Sequence, residues 1–152
     1  MLNPADDAFL AALAGRLPEG TLRPADPRHL TEPRGRWHGT GSVVALPRST
    51  AEVSTLLAAC NAARVGVVPW GGGTGLVGGQ LLPSGPAPLI LSLERMTATR
   101  GLYPVEAVLS VEAGAILADV QRQAETAGFL FPLSLASEGS ARIGGLLATN
   151  AG

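Results

Sequence analysis

The sequence predicts a fold that mixes α and β structure and contains a parallel strand pair. Three observations predict it. Two short apolar runs, Val43–Leu46 and Val65–Val68, flank a helical period that opens on a capping box. A glycine-rich loop, Gly71–Gly79, follows the second run. Two more apolar runs, Leu89–Leu93 and Ala107–Ala113, lie downstream, the last ahead of a second helical period.

The elements follow in order. Pro4 to Gly15 reads as a short helix with Phe9, Leu10 and Leu13 on one stripe. Pro18 to Gly41 reads as irregular, because Pro18, Pro24, Pro27 and Pro33 interrupt any period. It carries Trp37 and both histidines, His29 and His38, each expected to be solvated or hydrogen-bonded rather than a metal ligand. Val43–Leu46 is a strand ended by Pro47. In Ser49-Thr-Ala-Glu52 the hydroxyl can satisfy one orphan N–H and the carboxylate can reach back. The helix behind it is expected to bury Val53, Leu56, Leu57 and Cys60, each large apolar side chain contributing roughly 1.5–3 kcal/mol. Cys60 lies on that stripe and reads as core. Asn61–Gly66 closes the helix, and a strand follows, so the unit is β-α-β with a right-handed crossover.

Leu89–Leu93 is a buried-strand pattern, and Leu93–Met96 turns away from it. Ala107–Ala113 is a strand broken by Gly114. A helix over Ala115–Ala127 places Ile116, Val120 and Ala124 on one face, with Gly128 at C′. Phe129–Ser137 is an apolar connection broken by Pro132. Ser140 is the expected N-cap of a short helix from about Ala141, whose Gly144 and Gly145 allow a close approach.

Six of the nine residues from Gly71 to Gly79 are glycine. A loop so costly to order is best explained by a ligand lying against its main chain, with several N–H groups forming an anion nest. The flanks are not linker-like, since Leu76, Val77, Leu81 and Leu82 are buryable. A P-loop is excluded, because the eleven basic residues are all arginine and that motif needs a lysine. Gly73, Gly75 and Gly78 match the dinucleotide fingerprint G-x-G-x-x-G, but Pro83-Ser-Gly-Pro-Ala-Pro88 forbids the helix that fingerprint requires. What remains is a loop between two strands whose backbone alone cradles phosphate. The start of the short helix near Ser140 offers a second anion site, or else a capped helix in close contact. Two such sites suit a dinucleotide-sized ligand.

With 152 residues and 46% apolar content, one domain with a real core is expected. A net charge of −1 points to neither nucleic acid nor an anionic membrane. No run approaches the roughly 18 apolar residues of a membrane span. One cysteine gives no internal disulfide, so a reducing, cytoplasmic setting is the default. Leu146, Leu147 and Ala148 near the end need something to pack on, and the chain is expected to be a truncated protein.

Five ordered segments carry a resemblance: Leu46–Val53, the loop Pro69–Gly79, Leu91–Met96, Val111–Gly114 and Gly139–Gly152. In this order they resemble the N-terminal flavin domain of FAD-linked oxidases of the vanillyl-alcohol oxidase (PCMH) type, closest to the D-lactate, glycolate and D-2-hydroxyglutarate dehydrogenase branch. The resemblance implies a lead-in over 1–36 and, over 37–152, a two-lobed α+β domain, one lobe with parallel strands and helices and the other largely antiparallel. FAD would lie between the lobes. Its pyrophosphate would be held by Gly71, Gly72, Gly73, Thr74, Gly75, Leu76, Gly78 and Gly79, behind Pro69 and Trp70. Pro132, Leu133, Ser134, Gly139, Ser140, Ile143, Gly144 and Gly145 would line the cofactor, with Asn150 and Ala151 close by. Some positions depart from the family pattern: Trp70 replaces a residue that is usually polar, Ser134 a common aspartate and Leu146 a frequent asparagine.

The resemblance further implies oxidation of a D-2-hydroxy acid to a 2-oxo acid, hydride passing from the substrate Cα to flavin N5. The base, the substrate-binding arginines and the contact with an electron acceptor would lie in a later domain, so no catalytic residue is named. Glu94, Arg95 and Arg142 are given surface or cofactor-positioning roles. Neither histidine sits in a motif for covalent flavin attachment. A non-catalytic flavin- or nucleotide-binding module, an inactive fragment, or an alcohol or sugar oxidase on the same scaffold stay open as alternatives.

Overall fold

The computed structural model describes residues 1–151. Helix α1 (Asp7–Ala14) starts where the Asp6 carboxylate accepts the Phe9 amide at 2.8 Å. Strand β1 (Leu22–Pro24) and a 3-10 turn (Pro27–His29) precede β2 (Val43–Ala45), helix α2 (Thr50–Ala63) and β3 (Val67–Trp70). Then come β4 (Leu89–Ser92), β5 (Thr99–Tyr103), β6 (Val108–Val111), α3 (Leu117–Thr126) and α4 (Ile143–Ala148).

Four strands form one sheet in the order β1-β2-β4-β3, and β5 and β6 form a separate antiparallel pair. Strands β2 and β3 are both parallel to β4, which lies between them. The β-α-β unit is therefore present, but its two strands are not neighbours, because Leu89–Ser92 fills the gap. All four β4 residues are buried, as a central strand covered on both faces requires. Leu89 and Leu91 join Ala5, Leu13, Ala45, Leu56, Cys60 and Val65 on one face. Ile90 points the other way, to Val44, Leu46 and Trp70. A third cluster, Leu117, Ala141 and Leu146, ties α3 to α4.

Helix ends follow local chemistry. The Ser49 hydroxyl accepts the Glu52 amide at 3.2 Å, while Glu52 reaches past Ser49 to the Arg48 amide at 3.0 Å. Helix α3 closes with the pair of bonds of a Schellman turn, Phe129 N–H to the Ala124 carbonyl and Gly128 N–H to that of Glu125, with Gly128 at φ +80°.

Several expectations are corrected. Leu57 is 44% exposed, and Ala59 takes the inward position beside Leu56. The segment from Pro18 to Gly41 contains β1, which pairs antiparallel with β2. Thr99–Tyr103, which carries no strand pattern in the sequence, forms β5 through its pairing with β6. The strand read at Val65–Val68 runs from Val67 to Trp70. Leu76 and Val77 are exposed, whereas Leu81 is buried. Helix α4 begins at Ile143 behind Arg142, with no side-chain cap. Ser140 is not its N-cap; the Ser140 hydroxyl donates to the Ser137 carbonyl.

Candidate functional site

The carboxyl ends of β3 and β4 open into a cleft of about 610 Å³. The end of a parallel strand is where an open α/β sheet can receive a ligand, since the loops diverge there. The loop after β3 forms one wall. Leu91 from β4, Leu93 just beyond it and Ala113–Gly114 ahead of α3 form the floor, and α4 with Leu135 and Ser137 forms the opposite wall. Most of the lining is apolar, and Arg142 is the one charged residue on it among the described residues.

Every backbone amide from Gly72 to Gly79 lacks a protein acceptor among the described residues. None of these N–H groups is spent on the protein, so the row is a donor set open to water or to a ligand beside the cleft. Three of the loop's carbonyls, by contrast, are held. The Gln80 side-chain amide donates to the Gly75 carbonyl at 2.7 Å, the Leu81 amide donates to that of Gly78 at 3.0 Å, and Arg34 donates to that of Leu76. At Gly72 a Cβ would fall 2.0 Å from the Ser140 carbonyl oxygen. At Gly73 φ is +70° and a Cβ would fall 2.6 Å from the Trp70 ring. Only glycine fits either place.

The segment that clamps the loop is organised by a buried carboxylate. Glu32 accepts the Arg34 amide at 2.9 Å and the Arg36 amide at 2.7 Å. Those bonds hold its carboxyl below the usual range. The turn they fix carries Trp37 onto Gly78. Beneath the loop, Trp70 is buried with its Nε1 unpartnered among the described residues. His29 meets it edge-on, ring centroids 4.6 Å apart, and the Arg28 guanidinium lies 5.2 Å from the Trp70 ring centroid. His29 Nδ1 accepts the Asp26 amide at 3.0 Å, which puts the imidazole proton on Nε2. Burial pushes the His29 imidazole below its usual range, and Arg28 adds to that.

The second anion site expected at α4 is not of the same kind. The Ile143 amide donates to Ala115 at 2.9 Å and the Gly144 amide to Ala113 at 2.8 Å, so these first-turn donors are already used. The close approach read from Gly144 is present, since a Cβ there would lie 2.7 Å from that of Ala113.

Of the residues named from the sequence, Pro69, Trp70, Gly71, Gly72, Gly73, Thr74, Gly75, Gly79, Gly144, Gly145 and Ala151 line the cleft. Leu76 and Gly78 belong to the loop but lie off the lining. Leu133 and Ile143 pack on the Leu117 cluster behind it. Pro132, Ser134, Gly139, Ser140 and Asn150 are exposed and lie outside the lining. Gly152 lies outside the described residues. Leu93, Gly114 and Leu135 line the cleft without a site role expected from the sequence, and Arg142, given a surface or cofactor-positioning role there, lines it too. The available signal was the carboxyl end of a buried strand, which points at Leu91 and Leu93.

Among the described residues, no group of three or more His, Cys, Asp or Glu side chains could hold a metal ion. Among the described residues, no helix is long and apolar enough to cross a membrane.

Residues 41–152 match the FAD binding domain family. The chain is 38% identical over 149 residues to a mitochondrial D-2-hydroxyglutarate dehydrogenase of Bos taurus, a match covering 94% of the chain and 26% of the relative. It is 42% identical over 117 residues to a D-2-hydroxyglutarate dehydrogenase of Xanthomonas citri pv. viticola, covering 77% and 24%. The chain thus spans about a quarter of the length of these relatives. Among solved structures, an alkyldihydroxyacetonephosphate synthase superposes with a TM-score of 0.82 at 20% identity, covering 97% of this chain and 29% of that one. The glucose dehydrogenase Phl p 4.0202 gives 0.73 at 13% identity, covering 91% and 30%. These structures share the fold: a parallel-strand sheet with helices beside an antiparallel pair. The chain belongs to the FAD binding domain family, and its cofactor is FAD.

Proposed function

We propose that this member of the FAD binding domain family holds the flavin of an oxidoreductase that converts a D-2-hydroxy acid to its 2-oxo acid. The observation that carries the reading is the row of unpartnered amides from Gly72 to Gly79 beside a largely apolar cleft. A diphosphate needs several converging N–H donors, and the rest of a dinucleotide needs apolar walls. The residues present therefore fit FAD. Bound there, FAD supplies a two-electron acceptor for the hydroxy acid.

This chain's residues act on the cofactor rather than on the substrate. The loop amides bind the diphosphate, and Trp70 and Ser140 fix the loop's path. Leu91, Leu93, Leu135 and Leu146 exclude water from the cleft. Substrate binding, proton removal and contact with an electron acceptor are assigned to parts of the protein outside this chain. The 2-hydroxy acid class is supported by the two relatives at 38% and 42% identity. A reducing compartment, cytoplasmic or the mitochondrial one named for some relatives, suits a chain whose one cysteine is buried.

The test is flavin binding, read by fluorescence quenching, in parallel with dye reduction by the full-length protein given D-2-hydroxyglutarate, D-lactate or glycolate. Saturable FAD binding and turnover of one of these acids support the reading. Binding with no turnover of any D-2-hydroxy acid removes the substrate class and leaves the cofactor.

A further inference from the structure

Arg142 lies where the loop after β3 approaches the α4 side of the cleft. Its Cβ and Cγ run 3.8 and 3.9 Å from where a Gly71 Cβ would stand. Its Nη1 donates to the Gly114 carbonyl at 2.6 Å, which orients the guanidinium but uses one of its five N–H groups. Its Nε is buried and has no partner, and no carboxylate pairs with it among the described residues. A guanidinium partly withdrawn from water without a counter-charge is costly unless an anion completes it. The loop amides across from it supply dipoles but no net charge.

We propose that Arg142 is the cationic anchor of the cofactor's diphosphate, closing the glycine cradle from the α4 side. The assignment rests on the FAD reading above and goes beyond it in making recognition depend on charge. The planar fork of arginine suits phosphate oxygens, and a low-dielectric cleft strengthens the pairing. The cleft therefore discriminates among flavins by their phosphates: FAD binds with the help of Arg142, and riboflavin, which has no phosphate, gains nothing from it.

The experiment titrates the full-length apoprotein with FAD and with riboflavin at low and high ionic strength, following flavin fluorescence. Wild type is compared with Arg142→Gln, which keeps a donor for Gly114, and with Arg142→Lys, which keeps the charge. FAD binding by wild type is expected to weaken with salt while riboflavin binding does not. Arg142→Gln is expected to weaken FAD binding by about tenfold to a hundredfold, to flatten its salt dependence and to leave riboflavin unchanged. Arg142→Lys restores most of the FAD affinity. Wild-type FAD binding no more sensitive to salt than riboflavin binding overturns the proposal without any variant. Equal weakening of both flavins by Arg142→Gln also overturns it, because a general disturbance of the cleft wall, not a lost charge on the diphosphate, would then explain the effect. Wild type that binds neither flavin overturns the cofactor-holding reading and the anchor with it; wild type that binds FAD with Arg142→Gln unaffected overturns the anchor alone.

Discussion

The loop after β3 touches, at Gly72 and Ser140, the segment that leads into α4, yet the amides of the loop and of the first turn of α4 meet opposite fates. In the loop the carbonyls of Gly75, Gly78 and Leu76 are clamped by Gln80, Leu81 and Arg34, and the N–H groups from Gly72 to Gly79 have no acceptor among the described residues. In α4 the Ile143 and Gly144 N–H groups are spent on Ala115 and Ala113. Both segments are rich in glycine. The difference lies in what each glycine approaches: Gly144 packs on a neighbouring strand end, while the loop wraps a cleft. One acts as scaffold, and the other is the candidate site.

The comparison breaks most sharply at Gly73. Gly73→Val puts a branched side chain at φ +70° and 2.6 Å from the Trp70 ring. The backbone alone costs on the order of 1–3 kcal/mol, and the clash adds to it. FAD affinity is expected to fall more than about a hundredfold while circular dichroism stays native, because the loop contributes little to the core. Titration of the folded variant with FAD checks this.

Gly144→Ala acts on the scaffold side. A Cβ there meets Ala113 at 2.7 Å, so overpacking costs about 1–3 kcal/mol of stability, read as a lowered denaturation midpoint. FAD binding by the folded fraction should drop far less than in Gly73→Val. A larger loss of binding than of stability would move α4's first turn into the site.

The smallest effect is a pH dependence beneath the loop. His29 is held below its ordinary value by burial and by Arg28, so the unfolded chain binds its proton first. Its contribution to stability is present above about pH 6.5, the unfolded value, and is lost as the pH falls toward the folded one. Denaturant midpoints measured between pH 7.5 and 5.5 should fall in wild type, and fall less in His29→Gln.

Part of this was legible in the sequence. The capping serine, the glycine at C′ of α3 and the loop after an apolar strand are local signals, and local hydrogen bonds decide them. The rest depends on distant partners. Strand β1 is three residues with a proline at its end, and only pairing with β2 makes it a strand. Strand β5 contains Arg100 and Gly101 and shows no alternation, so β6 defines it. Leu56 and Leu57 sit about 100° apart on α2, and only the sheet's position selects Leu56. Nothing between residues 140 and 145 reveals that carbonyls at Ala113 and Ala115 consume the α4 amides, or that Arg142 stands alone in its charge.

The most direct test is residue-resolved amide hydrogen exchange with and without FAD. The amides of Gly72 to Gly79 are expected to exchange quickly in the free protein and to become protected when FAD is added. Those of Ile143 and Gly144 are expected to be protected from the start and to change little. FAD that protects the α4 amides and leaves the loop exchanging as before would contradict the account.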